Sequence, residues 1–175
     1  MIEFAPDKTW LAVEERMAAE TNPRIKNNLE EVRNHMRSEI QGHLDDLMAT
    51  LTGEPQYHMW GTPEENGPKG RDNVKVFYEG MIASGGNRFH FHVERIVADE
   101  DAVVTEGRMR ALMPAIAITG SGVTEVDGEP VDDAATYVAE WQILTVWPID
   151  EAGKIIGEDI YFGSDPMKTL AKHES

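Results

Sequence analysis

The hydrophobic period of this chain changes once, near residue 88, and that change limits the folds open to it. Before it, apolar residues recur three or four apart; after it, they recur every second residue. The first spacing loads one face of a helix and the second one face of a strand. Helices followed by a run of strands joined by short turns describe an α+β domain with an antiparallel sheet, not an alternating α/β fold.

The helical part reads as three segments. Lys8 to Glu20 carries Trp10, Leu11, Val13, Met17 and Ala18 near helical spacing, with Asp7 as its cap. Thr21-Asn22-Pro23 breaks it, because the residue before proline avoids helical torsions. Pro23 to Leu51 carries the stripe Leu29, Val32, Met36, Ile40, Leu44, Leu47, Met48 and Leu51, with Gly42 marking a kink or a break. After Gly53-Glu54-Pro55, Gln56 to Trp60 is a short aromatic strand and Gly61 to Arg71 is turn-rich. Asp72 caps a third helix, Asn73 to Ala83, closed by Ser84-Gly85-Gly86-Asn87.

Strands follow over Arg88–Ala98 and Ala102–Leu112, joined at Asp99-Glu100-Asp101 as a hairpin. Pro114 to Ala134 reads as a short strand and then a loop rich in glycine and acid. Tyr137–Trp147 and Lys154–Phe162 are the remaining strands, and the tail from Gly163 reads as loosely ordered.

Composition narrows the partners. The chain of 175 residues has 32 acidic and 16 basic side chains, a formal net charge of −16. Binding nucleic acid requires a cationic face that displaces counterions from phosphates, and this chain would repel them and anionic membranes alike. There is no cysteine, so disulfides, thiol nucleophiles and cysteine-ligated metal centres are excluded. The longest apolar run, Ala111 to Ile118, is too short to span a bilayer. The N-terminus lacks the basic and apolar regions of a secretory signal, which makes a cytoplasmic location the expectation.

Four stretches in order resemble the SnoaL-like branch of the nuclear-transport-factor-2-like superfamily. They are Gly42-His43-Leu44-Asp45-Asp46-Leu47; Gly70-Arg71-Asp72-Asn73-Val74 leading to Phe77-Tyr78; the hairpin from Val93 to Gly107; and Gly153-Lys154-Ile155 leading to Tyr161-Phe162. The resemblance covers about residues 36–167, leaving 1–35 as an N-terminal helical extension and 168–175 as a tail. It implies a cone-shaped curved sheet, mixed or antiparallel, with helices on its concave face enclosing a pocket for a small apolar ligand. It also implies a homodimer through the outer sheet face. The branch contains cyclases, isomerases, dehydratases and epoxide hydrolases, as well as proteins without chemistry, so fold does not settle function.

The residues of two known chemistries in the superfamily are only partly present. Against limonene-epoxide hydrolases, Gly107 and Met109 stand where an Arg and an Asp are expected, and Ile160 stands where the final-strand Asp would be. Against scytalone-dehydratase-like enzymes, His90, with His92 beside it, resembles the first histidine and Glu39 falls near the helix acid, while the second histidine is absent. The sequence therefore offers His90, Glu39 and Glu158 as acid–base candidates. His90 is suited because imidazole titrates near neutrality. Glu158 shares strand parity with Ile160 and Phe162 and so would sit among apolar groups.

Tyr57, Met59, Trp60, Met109, Trp141, Ile143, Ile160 and Phe162 are candidates to line a ligand pocket. His58 and His43 are expected to face solvent. Period two also puts His90, His92 and Glu94 on one face, a poor tetrahedral set, so no metal is expected. If Phe89 and Phe91 face the cavity instead, these histidines are expected to be solvent-exposed and idle. Three roles stay open: an enzyme doing cofactor-free acid–base chemistry such as isomerisation, cyclisation or dehydration; a non-catalytic binder of an apolar ligand; and a structural subunit.

Overall fold

A computed structural model describes residues 4–61 and 66–173. A 3-10 turn at Pro6–Lys8 leads to α1, Leu11–Ala18, so the first helix starts later than the Asp7 cap expected for it. In α2, Pro23–Gln41, the Asn22 side chain accepts from the backbone N–H groups of Arg24 and Ile25 and caps the helix. Gly42 then adopts φ 69°, and the N–H groups of Gly42 and His43 turn back to the Glu39 and Ser38 carbonyls. That left-handed closure ends the helix, and α3, Leu44–Ala49, starts afresh. The single stripe in the sequence is thus two helices with a break at Gly42.

Strand β1, His58–Trp60, precedes α4, Arg71–Ser84. Gly70 holds the position before α4, and Asp72 lies within its first turn instead of capping it. Strands β2, Phe89–Ala98, and β3, Ala102–Pro114, form the hairpin, followed by a short helix α5, Ala115–Gly120. A small hairpin of β4, Glu125–Val126, and β5, Glu129–Pro130, leads to β6, Thr136–Pro148. The segment read as a short strand and loop is therefore a helix and a hairpin. The last long strand is confined to β7, Asp159–Phe162; Ile155 makes only isolated bridges to Leu51 and Ile149. The described part of the tail is tied down: β8, Ala171–Lys172, pairs with β6 opposite Tyr137 and Val138.

The main sheet runs β1-β7-β6-β3-β2, antiparallel except for the parallel pair β1–β7. This is the curved sheet of the nuclear-transport-factor-2-like cone, with the helices against its concave side. Glu94 is a bulge residue between the Val93–Gly107 and Arg95–Glu106 pairs. At this point a Cβ on Gly107 would overlap the His92 carbonyl, so only glycine lets the two strands stay paired through the bulge.

The main core joins Val13, Leu29, Val32, Met36, Leu47, Tyr57, Val74, Tyr78, Phe91, Val103, Trp147 and Ile155, with the sheet on one side and α1–α4 on the other. Residues of α5, β6 and the tail, among them Ile118, Tyr137 and Leu170, form a second, smaller cluster. Trp141 packs against both. Helix α2 runs without interruption through residue 35, so the N-terminal extension and the domain that the resemblance covers share one helix. No helix among the described residues is long and apolar enough to cross a membrane.

Candidate functional site

Between the helices and the concave face lies a cavity of about 170 Å³. Its walls come from Met36 and Glu39 on α2, Phe77, Tyr78 and Met81 on α4, and alternating residues of four strands. On β2 these are Phe89 and Phe91, on β3 Met109, on β6 Trp141, Ile143, Thr145 and Trp147, and on β7 Ile160 and Phe162; Tyr57 and Glu158 lie just before β1 and β7. An engineered apolar cavity of roughly 150 Å³ takes up benzene, so this space suits a molecule of about one or two small rings.

The apolar walls end at a polar cluster. Helical spacing brings Val32, His35, Met36 and Glu39 to one side of α2, which places an imidazole and a carboxyl in the stripe that packs inward. His35 is fully buried, Glu39 is 9% exposed and Glu158 is 7% exposed. The Tyr78 hydroxyl donates to Glu158 Oε1 at 2.9 Å and lies 3.0 Å from the Tyr57 hydroxyl, which therefore donates to it. His35 Nε2 is 3.0 Å from Tyr78 Oη and 3.3 Å from Glu158 Oε1. On the other side of the ring, His35 Nδ1 is 2.8 Å from Thr50 Oγ1. Thr50 gives its only hydroxyl proton to the Leu47 carbonyl at 2.6 Å, so it must accept from His35, and Nδ1 carries a proton. His35 Nε2 thus faces Glu158 Oε1 across 3.3 Å, with the Tyr78 hydroxyl beside both.

Glu39 makes no comparable ring of partners. Burial pushes its carboxyl well above the usual carboxylate range, and the nearby charge of Glu158 pushes it further. Burial likewise raises the Tyr57 and Tyr78 phenols well above the usual tyrosine range, with Glu158 as the next cause, so both stay neutral donors. The cavity therefore holds two carboxyl groups in different settings. One is kept as a neutral acid, and the other accepts from a tyrosine and lies against a histidine. Among the described residues, no lysine or arginine lines the space.

The structure brings together Glu39, Glu158, Tyr57, Met109, Trp141, Ile160 and Phe162 around this cavity. His90 is not with them. Phe89 and Phe91 take the inward positions of β2, and alternation turns His90 to the opposite face. There it is 2% exposed, covered by the N-terminal segment, and its Nδ1 accepts from the Ala5 N–H at 3.3 Å. Thr9 secures the same segment: its hydroxyl accepts from the Phe91 N–H and donates to the Phe89 carbonyl at the free edge of β2. Met59 and Trp60 are also outside the cavity lining. Trp60 stacks on His58 and Tyr161 at the outer face, with ring centroids 5.4 Å and 6.3 Å away. No group of three metal-ligating side chains occurs among the described residues.

The candidates drawn from the sequence did not include His35, Tyr78 or Thr50. The signals were present. His35 occupies a stripe position between Val32 and Met36, and Tyr78 follows Phe77 on the packed face of α4. Each looks like core filler until Glu158, far along the chain, is brought beside it.

A profile of the SnoaL-like domain family matches residues 32–156. Comparison with curated proteins finds no match. Among solved structures, an epoxide hydrolase of the limonene-epoxide-hydrolase-like type from M. tuberculosis is 18% identical, with TM-score 0.58, covering 83% of this chain and 90% of that one. An NTF2-like protein from Anabaena variabilis is 17% identical, with TM-score 0.54, covering 85% and 96%. SalBIII, an epoxide hydrolase/cyclase-like enzyme with a role in pyran ring formation in the polyether salinomycin, is 12% identical, with TM-score 0.53, covering 83% and 95%. At these identities the structures share the fold. With the profile match spanning most of the chain and the cone-shaped sheet in place, the protein belongs to the SnoaL-like domain family.

Proposed function

We propose that the protein is an enzyme that moves a proton on a small, largely apolar molecule held in the cavity, in an isomerisation, cyclisation or dehydration. Glu158 acts as the base and Glu39 as the acid. The observation that carries this reading is the pairing of two buried carboxyl groups in unlike settings at the end of an apolar cavity. Environments that separate two neighbouring acids assign them opposite roles. Glu158 is oriented by Tyr78 and lies against His35, so it can take a proton from a carbon or hydroxyl of the ligand. Glu39 is held neutral, so it can protonate or hydrogen-bond an oxygen as charge develops there. The walls exclude water and hold the ligand through apolar contact. The chemistries that neighbouring structures are known for, epoxide hydrolysis and pyran ring formation, are of the same acid–base type and support the reading. A homodimer, which the family resemblance implies, and a cytoplasmic location also belong to the proposal.

The test is deuterium incorporation from D2O into a panel of one- and two-ring apolar ketones, read by mass spectrometry. Exchange at carbon by the unaltered protein, lost in Glu158→Gln, is the expected result. Exchange that Glu158→Gln leaves unchanged, or carbonyl ligands that bind tightly without any exchange, would show that the cavity binds and does not catalyse by this pair.

A further inference from the structure

A polar groove of about 420 Å³ lies on the far side of α2 from the cavity. Glu31, Ser38, His43, Asp46 and Lys154 line it, and so does Thr50. Thr50 is therefore shared: its hydroxyl touches the buried ring of His35, and its side chain belongs to the wall of an open, polar groove. From the groove inward the polar atoms are continuous. Thr50 Oγ1 to His35 Nδ1 is 2.8 Å, and His35 Nε2 reaches Glu158 Oε1 at 3.3 Å and Tyr78 Oη at 3.0 Å. Around this line the packing is tight and apolar. The His35 ring contacts Tyr78 and Trp147 edge to face, and Leu47, whose carbonyl accepts from Thr50, is fully buried.

A buried base cleared of water has no direct way to exchange its proton with solvent. We infer that His35 and Thr50 are the route by which Glu158 exchanges protons with the outside, through the groove and not through the cavity mouth. The inference rests on the proposed role of Glu158 as base. Glu158 takes a proton from the ligand and passes it across 3.3 Å to His35 Nε2. Nδ1 gives its proton to Thr50 Oγ1, and the Thr50 hydroxyl turns from the Leu47 carbonyl and releases its original proton to solvent in the groove. One proton enters the line and one leaves, no electrons are transferred, and the reverse passage restores the starting tautomer. His35 and Thr50 touch no ligand in this scheme; they are relay residues. The arrangement also explains why a threonine stands at a position that is 4% exposed and faces a histidine, where an apolar residue would fill the same space.

The test uses the full chain with its histidines labelled with nitrogen-15, the His35 ring being identified by its loss in His35→Gln. The ring of the unaltered protein is expected to carry its proton on Nδ1, and exchange of that proton with water is read by saturation transfer. Thr50→Val, which keeps the shape and removes the hydroxyl, should slow exchange about tenfold, the rate equivalent of losing one hydrogen-bonded relay group. Thr50→Ser should keep the rate near that of the unaltered chain. If the bond were only structural, Thr50→Val would loosen the ring and exchange would be unchanged or faster, which overturns the relay. A bare Nδ1 in the unaltered protein overturns it without any variant. The ketone exchange experiment with Glu158→Gln reads the base itself, so failure of the relay and failure of the proposed function give different patterns.

Discussion

Tyr78 and Glu158, 80 positions apart in the chain, are joined by a 2.9 Å hydrogen bond from the phenol to the carboxylate. That bond ties α4 to the residue just before β7, and it closes the polar end of the cavity. Tyr57 extends the chain of donors, and His35 approaches the same Glu158 oxygen from α2. A buried network of this kind is stable only when each member is satisfied, so removing one hydroxyl has a measurable cost. Tyr78→Phe should lower stability by about 1–3 kcal/mol, because it leaves Tyr57, His35 and Glu158 each short of a partner. Tyr57→Phe removes a terminal donor and should cost about 0.5–1.5 kcal/mol. Urea unfolding followed by tryptophan fluorescence measures both, and equal costs would show that Tyr78 is not the hub.

Glu39 sets a pH dependence whose sign comes from its raised carboxyl. In the unfolded chain it ionises at the ordinary carboxylate value; in the folded protein it ionises only at higher pH, because burial and Glu158 oppose the charge. The folded state therefore binds more protons between those two values, and stability falls as pH rises through that window. Glu39→Gln cannot ionise and removes the fall. The variant should gain roughly 1–3 kcal/mol relative to the unaltered protein at pH 8 and gain little at pH 4. Unfolding curves at the two pH values read the difference, and parallel behaviour of the two proteins would show that Glu39 is not held neutral.

Gly157 holds Glu158 in place by having no side chain. A Cβ there would overlap the Gln56 backbone carbonyl, where Gln56 N–H donates to Ile156 O and His58 N–H donates to Glu158 O. Gly157→Ala should push the two segments apart, lower stability by about 1–3 kcal/mol and disturb ligand binding. Gly53→Ala has open space around its Cβ and serves as the control. Equal effects at the two sites would remove the close approach as the cause.

The cavity itself is tested by filling it. Met109 lines the wall on β3, and Met109→Trp places a larger side chain in the space. Binding of a neutral apolar dye, followed by fluorescence, should fall by at least tenfold, while the folded circular dichroism spectrum is retained. Undiminished dye binding would place the ligand site elsewhere.

The sequence made the fold legible where periodicity was long and unbroken. The stripe of α2 and the alternation of β2, β3 and β6 are visible in the residues, and the four family stretches added the cone-shaped sheet. Shorter features depended on contacts the sequence does not display. Residues 115–120 form a helix because Ala115 and Ile118 bury against Tyr137 and Leu170, and β8 is ordered by pairing with β6. Alternation alone offered two facings for β2. Phe89 and Phe91 take the cavity side because two large apolar rings gain more from burial than two imidazoles do, and His90 is left to the N-terminal segment. The parity of β7 carried Glu158, Ile160 and Phe162 to one side. His35 and Tyr78 were hidden because each looks like part of an apolar stripe, and only the distant Glu158 gives them a polar partner.

The most direct measurement is a pH titration of the glutamate side-chain carboxyl carbons by carbon-13 NMR, with Glu39 and Glu158 assigned from Glu39→Gln and Glu158→Gln. Glu39 should titrate well above the ordinary glutamate range and move back toward it when Glu158 is replaced. A Glu39 that titrates like an exposed glutamate, and does not respond to Glu158→Gln, would contradict the paired acid and base on which the proposed chemistry depends.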